Sequence, residues 1–264
     1  MRIEIPDNWL GKKLEGSLEK LLSKEQPKDK DIAPFEDLPE IIKSNPHDYI
    51  WVPEKNIAVA KRQAYDGFSL EQAIKSVNAD NLRLLHIDEM MQHYLNARDA
   101  ANGKRVLQDL GGNTLSRTEA TELWNYLSSI DRKPFGNKPF WTWLDALFKE
   151  TPQGMEMHTQ YLMNGEIKSR LITKLDSYAG NNDWVELSSL NNQGLPINNS
   201  STNSYVQGQN FYFWRPKNGK VAWFGADSVR AILGCYGDPS VVYSHLGVLA
   251  CVAGSREKNS GGSP

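Results

Sequence analysis

The spacing of apolar side chains changes near residue 150, and that change restricts the chain to a fold in which helices come first and short strands follow. Upstream, apolar residues recur at helical intervals. Ser69 precedes Leu70-Glu71-Gln72-Ala73-Ile74, with Gln72 at the capping-box position, which predicts a helix start. A second helix is expected from about Ile87 to Arg98, carrying Met90, Met91, Tyr94 and Leu95 on its apolar side. A third opens near Thr118 and runs through Trp124 and Tyr126. Tyr49-Ile50-Trp51-Val52 and Asn56-Ile57-Ala58-Val59-Ala60 read as a strand pair turned by Pro53-Glu54-Lys55. The aromatic-rich run Phe140 to Phe148 is expected to be buried.

Downstream, clusters at Gly180-Asn181-Asn182, Asn191-Asn192-Gln193-Gly194 and Asn198-Asn199-Ser200-Ser201 mark loops and turns. Strands are expected at Phe211–Trp214, Val221–Phe224 and Leu246–Val252. Lys217-Asn218-Gly219-Lys220 predicts a hairpin between the first two of these. The expected class is α+β, with helices packed on short antiparallel strands and long loops.

Residues 1–46 read as an extension. Leu10, Leu14, Leu18, Leu21 and Leu22 suggest one short amphipathic helix near 10–24, and Pro27, Pro34, Pro39 and Pro46 punctuate the charged stretch after it. The main domain is expected over 47–254, with a flexible tail at 255–264.

Thirty Lys+Arg against 32 Asp+Glu give a formal net charge of −2, which argues against a nucleic-acid binder built on bulk positive charge. The chain has no apolar run long enough for a membrane-spanning helix, so no membrane insertion is expected. Its first residues lack the apolar segment of a secretion signal, which points to a cytoplasmic or particle-associated protein. Cys235 and Cys251 make no disulfide framework and no CxxC.

Motifs for catalysis are thin. Gly111-Gly112-Asn113 lacks both the P-loop lysine and the GxGxxG spacing, and there is no GxSxG elbow. His86 and His93 flank Asp88 and Glu89, but on a helix they lie two turns apart, about 10 Å along the axis, too far for one zinc ion. Cys235 with His158 or His245 as base is a conceivable nucleophile, although a lone Cys more often serves as a small buried apolar residue. Asn198-Asn199-Ser200 fits a glycosylation acceptor in a loop. No cofactor is expected; Asn181-Asn182-Asp183 offers oxygen ligands for calcium but no EF-hand spacing.

The segment 221–252 reads Val-Ala-Trp-Phe-Gly-Ala-Asp-Ser-Val-Arg-Ala-Ile-Leu-Gly-Cys-Tyr-Gly-Asp-Pro-Ser-Val-Val-Tyr-Ser-His-Leu-Gly-Val-Leu-Ala-Cys-Val. It resembles the variable region of the target-binding proteins of diversity-generating retroelements, which have a C-type-lectin fold. In that family fixed framework residues alternate with positions rewritten by adenine-specific mutagenesis of Asn codons. Asn codons mutated only at adenines never yield Lys, Glu, Gln, Met or Trp, and none of the five occurs from Phe224 to Arg256. Further resemblance lies in Asn81-Leu82-Arg83-Leu84 with Glu89-Met90, although Leu85-His86 stands where Pro-Thr is usual. Gly194-Leu195-Pro196, Phe211-Tyr212-Phe213-Trp214-Arg215-Pro216 and Gly219-Lys220-Val221-Ala222 resemble the domain's central strands. The likeness spans roughly 49–254; residues 1–46 resemble nothing recognised.

This resemblance implies that Ala226-Asp227-Ser228, Arg230-Ala231, Leu233, Cys235, Pro239-Ser240, Ser244 and Leu246-Gly247-Val248 are framework. It implies diversified, ligand-facing positions at Gly225, Val229, Ile232, Gly234, Tyr236, Gly237, Asp238, Val241, Val242, Tyr243 and His245. Strand alternation would let Leu233, Cys235, Leu246 and Val248 anchor inward while these positions face out. The implied function is non-enzymatic recognition of a protein or surface ligand through that region. Two alternatives stand beside it: a relative of formylglycine-generating oxidases, which share the fold family but use a closely spaced cysteine pair, and a structural tip component of a viral particle.

Overall fold

A computed structural model describes residues 8–9, 12–13, 38–128, 139–227 and 229–254. The chain divides into two units, Met1–Ala33 and Pro34–Pro264. In the first, β1 (Asn8–Trp9) pairs antiparallel with β2 (Lys12–Lys13). The leucines of the helix expected near 10–24 lie outside the described residues, as does the tail from residue 255.

The second unit is mixed α+β and begins upstream of the expected boundary at residue 46. Helix α1 (Glu40–Ser44) buries Ile42 in the same apolar cluster as Leu70, Ile74 and Val77. Its first sheet has four strands in the order β3 (Tyr49–Val52), β4 (Ile57–Ala60), β13 (Ala250–Ala253) and β5 (Arg83–Leu84). The β3–β4 pair turns through Pro53–Lys55 with Asn56 at a left-handed φ of 50°, a conformation Asn tolerates. Cys251 pairs with Val59, so the end of the unit closes against its beginning.

The helices follow their sequence signals. In α2 (Leu70–Ala79), the Ser69 hydroxyl accepts from the Gln72 N–H while the Gln72 side chain accepts from the Ser69 N–H. Helix α3 (Ile87–Ala101) is anchored by the His86 N–H donating to Glu89 at 2.8 Å. Helix α4 (Arg117–Ser128) starts one residue before Thr118, because Ser116 and Glu119 cap each other reciprocally.

The second sheet carries seven strands in the order β8 (Glu166–Lys174), β7 (Gly154–Met163), β6 (Phe140–Thr151), β11 (Val221–Asp227), β12 (Arg230–Gly237), β10 (Asn210–Trp214) and β9 (Asp183–Glu186). Alternation splits its side chains between two layers. Phe140, Phe148, Phe211, Phe213, Phe224 and Leu233 join the main core with α3 and α4, where Tyr94 meets Phe224 edge-on at 5.2 Å. Trp141, Trp143, Tyr212, Trp214, Trp223 and Tyr236 form the opposite layer with Ile232 and Val221.

Two strand expectations are corrected: the strand expected at Leu246–Val252 shrinks to β13, Ala250–Ala253, with Gly247 and Val248 in isolated bridges, and the expected hairpin is not one. Asn218-Gly219 does reverse the chain, with Lys220 N–H donating to the Lys217 carbonyl at 3.1 Å, but β10 and β11 are not partners. Strand β12 lies between them, parallel to β10 and antiparallel to β11. The ladder stops at Trp214 because Pro216 has no N–H to extend it. A different Asn-Gly pair makes a tight hairpin: Asn164 and Gly165, at φ 53° and 79°, join β7 to β8 with Met163 opposite Glu166. Among the described residues no helix is long and apolar enough to cross a membrane.

Candidate functional site

The C-terminal segment is built on two carboxylate-capped turns. Asp227 Oδ1 accepts from the N–H groups of Val229 and Arg230 at 2.9 and 3.0 Å, which closes the turn from β11 into β12. Val229 therefore stands at the tip, 66% exposed. Asp238 Oδ1 accepts from Ser240 N–H and Oγ, and its Oδ2 accepts from Lys220 Nζ at 2.8 Å. Those donors hold its carboxyl well below the usual carboxylate range. Beyond it the chain runs exposed through Val242 and Tyr243, with Val241 and His245 half-buried, until Leu246 turns inward.

The expected ligand-facing positions divide sharply in this geometry. Val229, Val242 and Tyr243 are open, while Tyr236, Val241, Asp238 and His245 are partly covered. Gly225, Ile232, Gly234 and Gly237 are buried, which corrects the expectation that they face solvent. The alternation itself holds: Leu233 and Cys235 belong to the main core while Ile232 belongs to the opposite layer. However, the second face of β11 and β12 is covered by packing: Val221, Trp223 and Ile232 belong to one buried cluster with Trp143 and with Leu70, Ile74 and Val77 of α2. The Trp223 indole lies over Gly234, where an added Cβ would come 2.3 Å from the ring. Gly225 is covered in the same way by Trp141, and Gly237 by Trp223 and the Val221 carbonyl. Asp238 caps the turn at Ser240 and pairs with Lys220, and its side chain stays 42% exposed.

Spacing in this segment alone does not show that an aromatic file crosses the sheet. Tyr243 touches His245 at 6.4 Å, and His245 meets Trp141 edge-on at 4.7 Å. Trp141 stacks on Trp223 at 4.9 Å and 7°. The contacts continue from Trp223 to Tyr236 at 6.1 Å, to Trp214 at 5.0 Å and to Tyr212 at 5.5 Å. They end at Trp184 (5.3 Å) and Tyr205 (6.2 Å). The file thus runs from β6 through β11, β12 and β10 to β9, in the order of the sheet. Lys217 Nζ lies 5.7 Å from the Tyr236 ring centre. The i, i+2 spacing of Tyr212 with Trp214 placed these two on one face, but the strand order needed to join them to Trp223 and Trp141 is not local information.

Other candidate chemistry disperses. His93 is fully buried with neither ring nitrogen hydrogen-bonded, and burial lowers its pKa to about 4. His86 sits with Nε2 3.5 Å from Asp145 Oδ2; burial opposes its charge, but hydrogen bonding to Asp145 and the carboxylates of Glu89 and Asp145 raise its pKa overall. Arg83 grips Glu89 with two hydrogen bonds of 2.7 and 2.6 Å, and this outweighs burial to lower the Glu89 pKa. Cys235 and Cys251 are both fully buried, and burial pushes each thiol up, away from the thiolate a nucleophile needs. Among the described residues no group of three or more His, Cys, Asp or Glu side chains could hold a metal ion. Comparison of the chain with protein-family models, curated proteins and solved structures finds no match in any of the three.

Proposed function

We propose that this protein is a non-enzymatic recognition protein, a scaffold of C-type-lectin type that contacts its ligand through the segment 227–245, as a variable protein of a diversity-generating retroelement would. The observation that carries this reading is the exposure of Val229, Val242 and Tyr243 beside a sealed framework of Leu233, Cys235 and Leu246. Two exposed valines and a tyrosine on turns fixed by Asp227 and Asp238 offer apolar and amphipathic contact. Substitution at exposed positions changes stability by no more than about 0.5 kcal/mol, so such positions accept diversity. Gly225, Ile232, Gly234 and Gly237 are left out of the contact set because neighbouring side chains cover them. Burial of both thiols supports the non-catalytic reading over an oxidase.

The test is a displayed library randomised at Val229, Val241, Val242 and Tyr243 and selected against a panel of immobilised proteins. Clones with distinct partners and near-parental melting temperatures are expected. A library that yields no binder, or whose members mostly fail to fold, refutes the proposal.

A further inference from the structure

The two sheets of the second unit treat their edges differently. The outer side of β9 is bridged by the loop at 198–200, with Ser200 N–H donating to the Trp184 carbonyl at 2.8 Å and Glu186 N–H to the Asn198 carbonyl at 3.1 Å. Strand β3 is bridged by residues 108–110, where Trp51 N–H donates to the Gln108 carbonyl at 3.0 Å. Strand β5 offers only two residues. Strand β8 is the exception: nine residues with β7 on one side and, among the described residues, no strand on the other.

The Asn164-Gly165 turn decides which backbone groups on β8 are open. Met163 and Glu166 close that two-residue turn, so Glu166, Lys168 and Arg170 bond to β7. The N–H and C=O groups of Ile167, Ser169 and Leu171 therefore point away from it. Tyr161, Met163, Leu171 and Ile172 are all exposed on this hairpin, Leu171 by 50%. An open edge with exposed apolar side chains is a template for another strand.

Charge selects the occupant. Strand β8 carries Lys168, Arg170 and Lys174 against one carboxylate, Glu166, which pairs with Lys168. Arg170 stands over the Tyr161 ring at 5.9 Å, and among the described residues neither Arg170 nor Lys174 has a carboxylate partner. A second copy of β8 is a poor match. Every antiparallel register that pairs at least two of Ile167, Ser169 and Leu171 with one another sets Lys168 against Arg170, or one of these cations against its own counterpart. The bulge at Ile172 interrupts the ladder as well.

We propose that β8 docks an acidic, extended protein segment by strand addition. The segment's backbone bonds to Ile167, Ser169 and Leu171, a carboxylate meets Arg170, and apolar side chains at the alternate positions cover Leu171 and Ile167. The hairpin lies outside residues 227–245, so this partner site is independent of the contact loop.

The full chain is titrated at neutral pH with an acetylated and amidated Glu-Val-Glu-Val-Glu-Val-Glu peptide, followed by calorimetry and amide hydrogen exchange. Saturable binding is expected, with slowed exchange of the Ile167, Ser169 and Leu171 N–H groups. Arg170→Glu should weaken binding about fivefold, because one cross-strand pair turns from attraction to repulsion. Ser169→Pro removes an open N–H and should abolish binding. Ser169→Ala, which loses only the hydrogen bond from Lys149 Nζ, should bind as the parent does. Circular dichroism should be unchanged in all three variants. No saturation by about 1 mM overturns the proposal. So does equal binding of the Lys-Val counterpart peptide, or full binding by Ser169→Pro. Insensitivity to Arg170→Glu overturns it even where Ser169→Pro fails to fold. A dimer of the free chain that Ser169→Pro dissolves assigns the edge to a second copy and overturns it as well.

Discussion

Gly234→Ala tests whether the second face of the sheet is closed. A Cβ at Gly234 would lie 2.3 Å from Trp223 Cε2, 2.5 Å from Nε1 and 2.6 Å from Cζ2. Carbon atoms in good contact stand about 3.5–4.0 Å apart, so the indole must retreat by more than about 1 Å. It has little room, being stacked on Trp141 at 4.9 Å and only 7% exposed. Overpacking of this kind costs about 1–3 kcal/mol. The lower backbone entropy of alanine in the unfolded chain offsets about 0.4–1 kcal/mol. A net loss of about 1–2 kcal/mol is expected, against less than about 0.5 kcal/mol for Val229→Ala at the exposed turn. Urea unfolding followed by circular dichroism gives the difference, and the tryptophan emission maximum reports the displaced ring. If Gly234→Ala unfolds within 0.5 kcal/mol of the parent at an unchanged urea slope, the indole is not pinned and Gly234 returns to the open positions.

Two further outcomes follow from buried charge. His93 holds a pKa of about 4 against an ordinary 6.5, so below pH 6.5 the unfolded chain binds a proton that the folded chain refuses. Stability should therefore fall by about 3 kcal/mol between pH 6.5 and 4, and His93→Leu should remove that part of the slope; superimposable pH–stability curves for parent and variant would show the imidazole is not sealed. Arg83→Ala leaves the Glu89 carboxylate buried without its bidentate partner and should cost about 3–5 kcal/mol. Because Glu89 titrates lower when folded, its contribution is present above the unfolded carboxylate pKa and is lost as pH falls through the folded value. Acid unfolding of Glu89→Gln that matches the parent over that window would argue against the ion pair.

Much of the fold could be read locally. The Ser69–Gln72 cap and the β3–β4 pair around Pro53–Lys55 depend on residues a few positions apart, whose steric and hydrogen-bonding preferences act before any tertiary contact forms. The Asn164-Gly165 hairpin was equally available, since both residues accept positive φ and Tyr161, Leu162, Met163 and Ile167 flank the pair. Asn218-Gly219 shows the limit of such signals: the turn forms, yet the strands beside it bond to β12 and β6, not to each other.

The site divides along the same line. Alternation along β12 is a property of any strand, and it sets Ile232, Gly234 and Tyr236 apart from Leu233 and Cys235. Whether the second face meets water depends on what lies on the adjacent strands, and only the tertiary structure put Trp223 over Gly234 and Trp141 over Gly225. Burial is a sum over neighbours distant in sequence. No pattern within residues 221–252 contains that sum, whereas the capped turns at Asp227 and Asp238 are written into the segment itself.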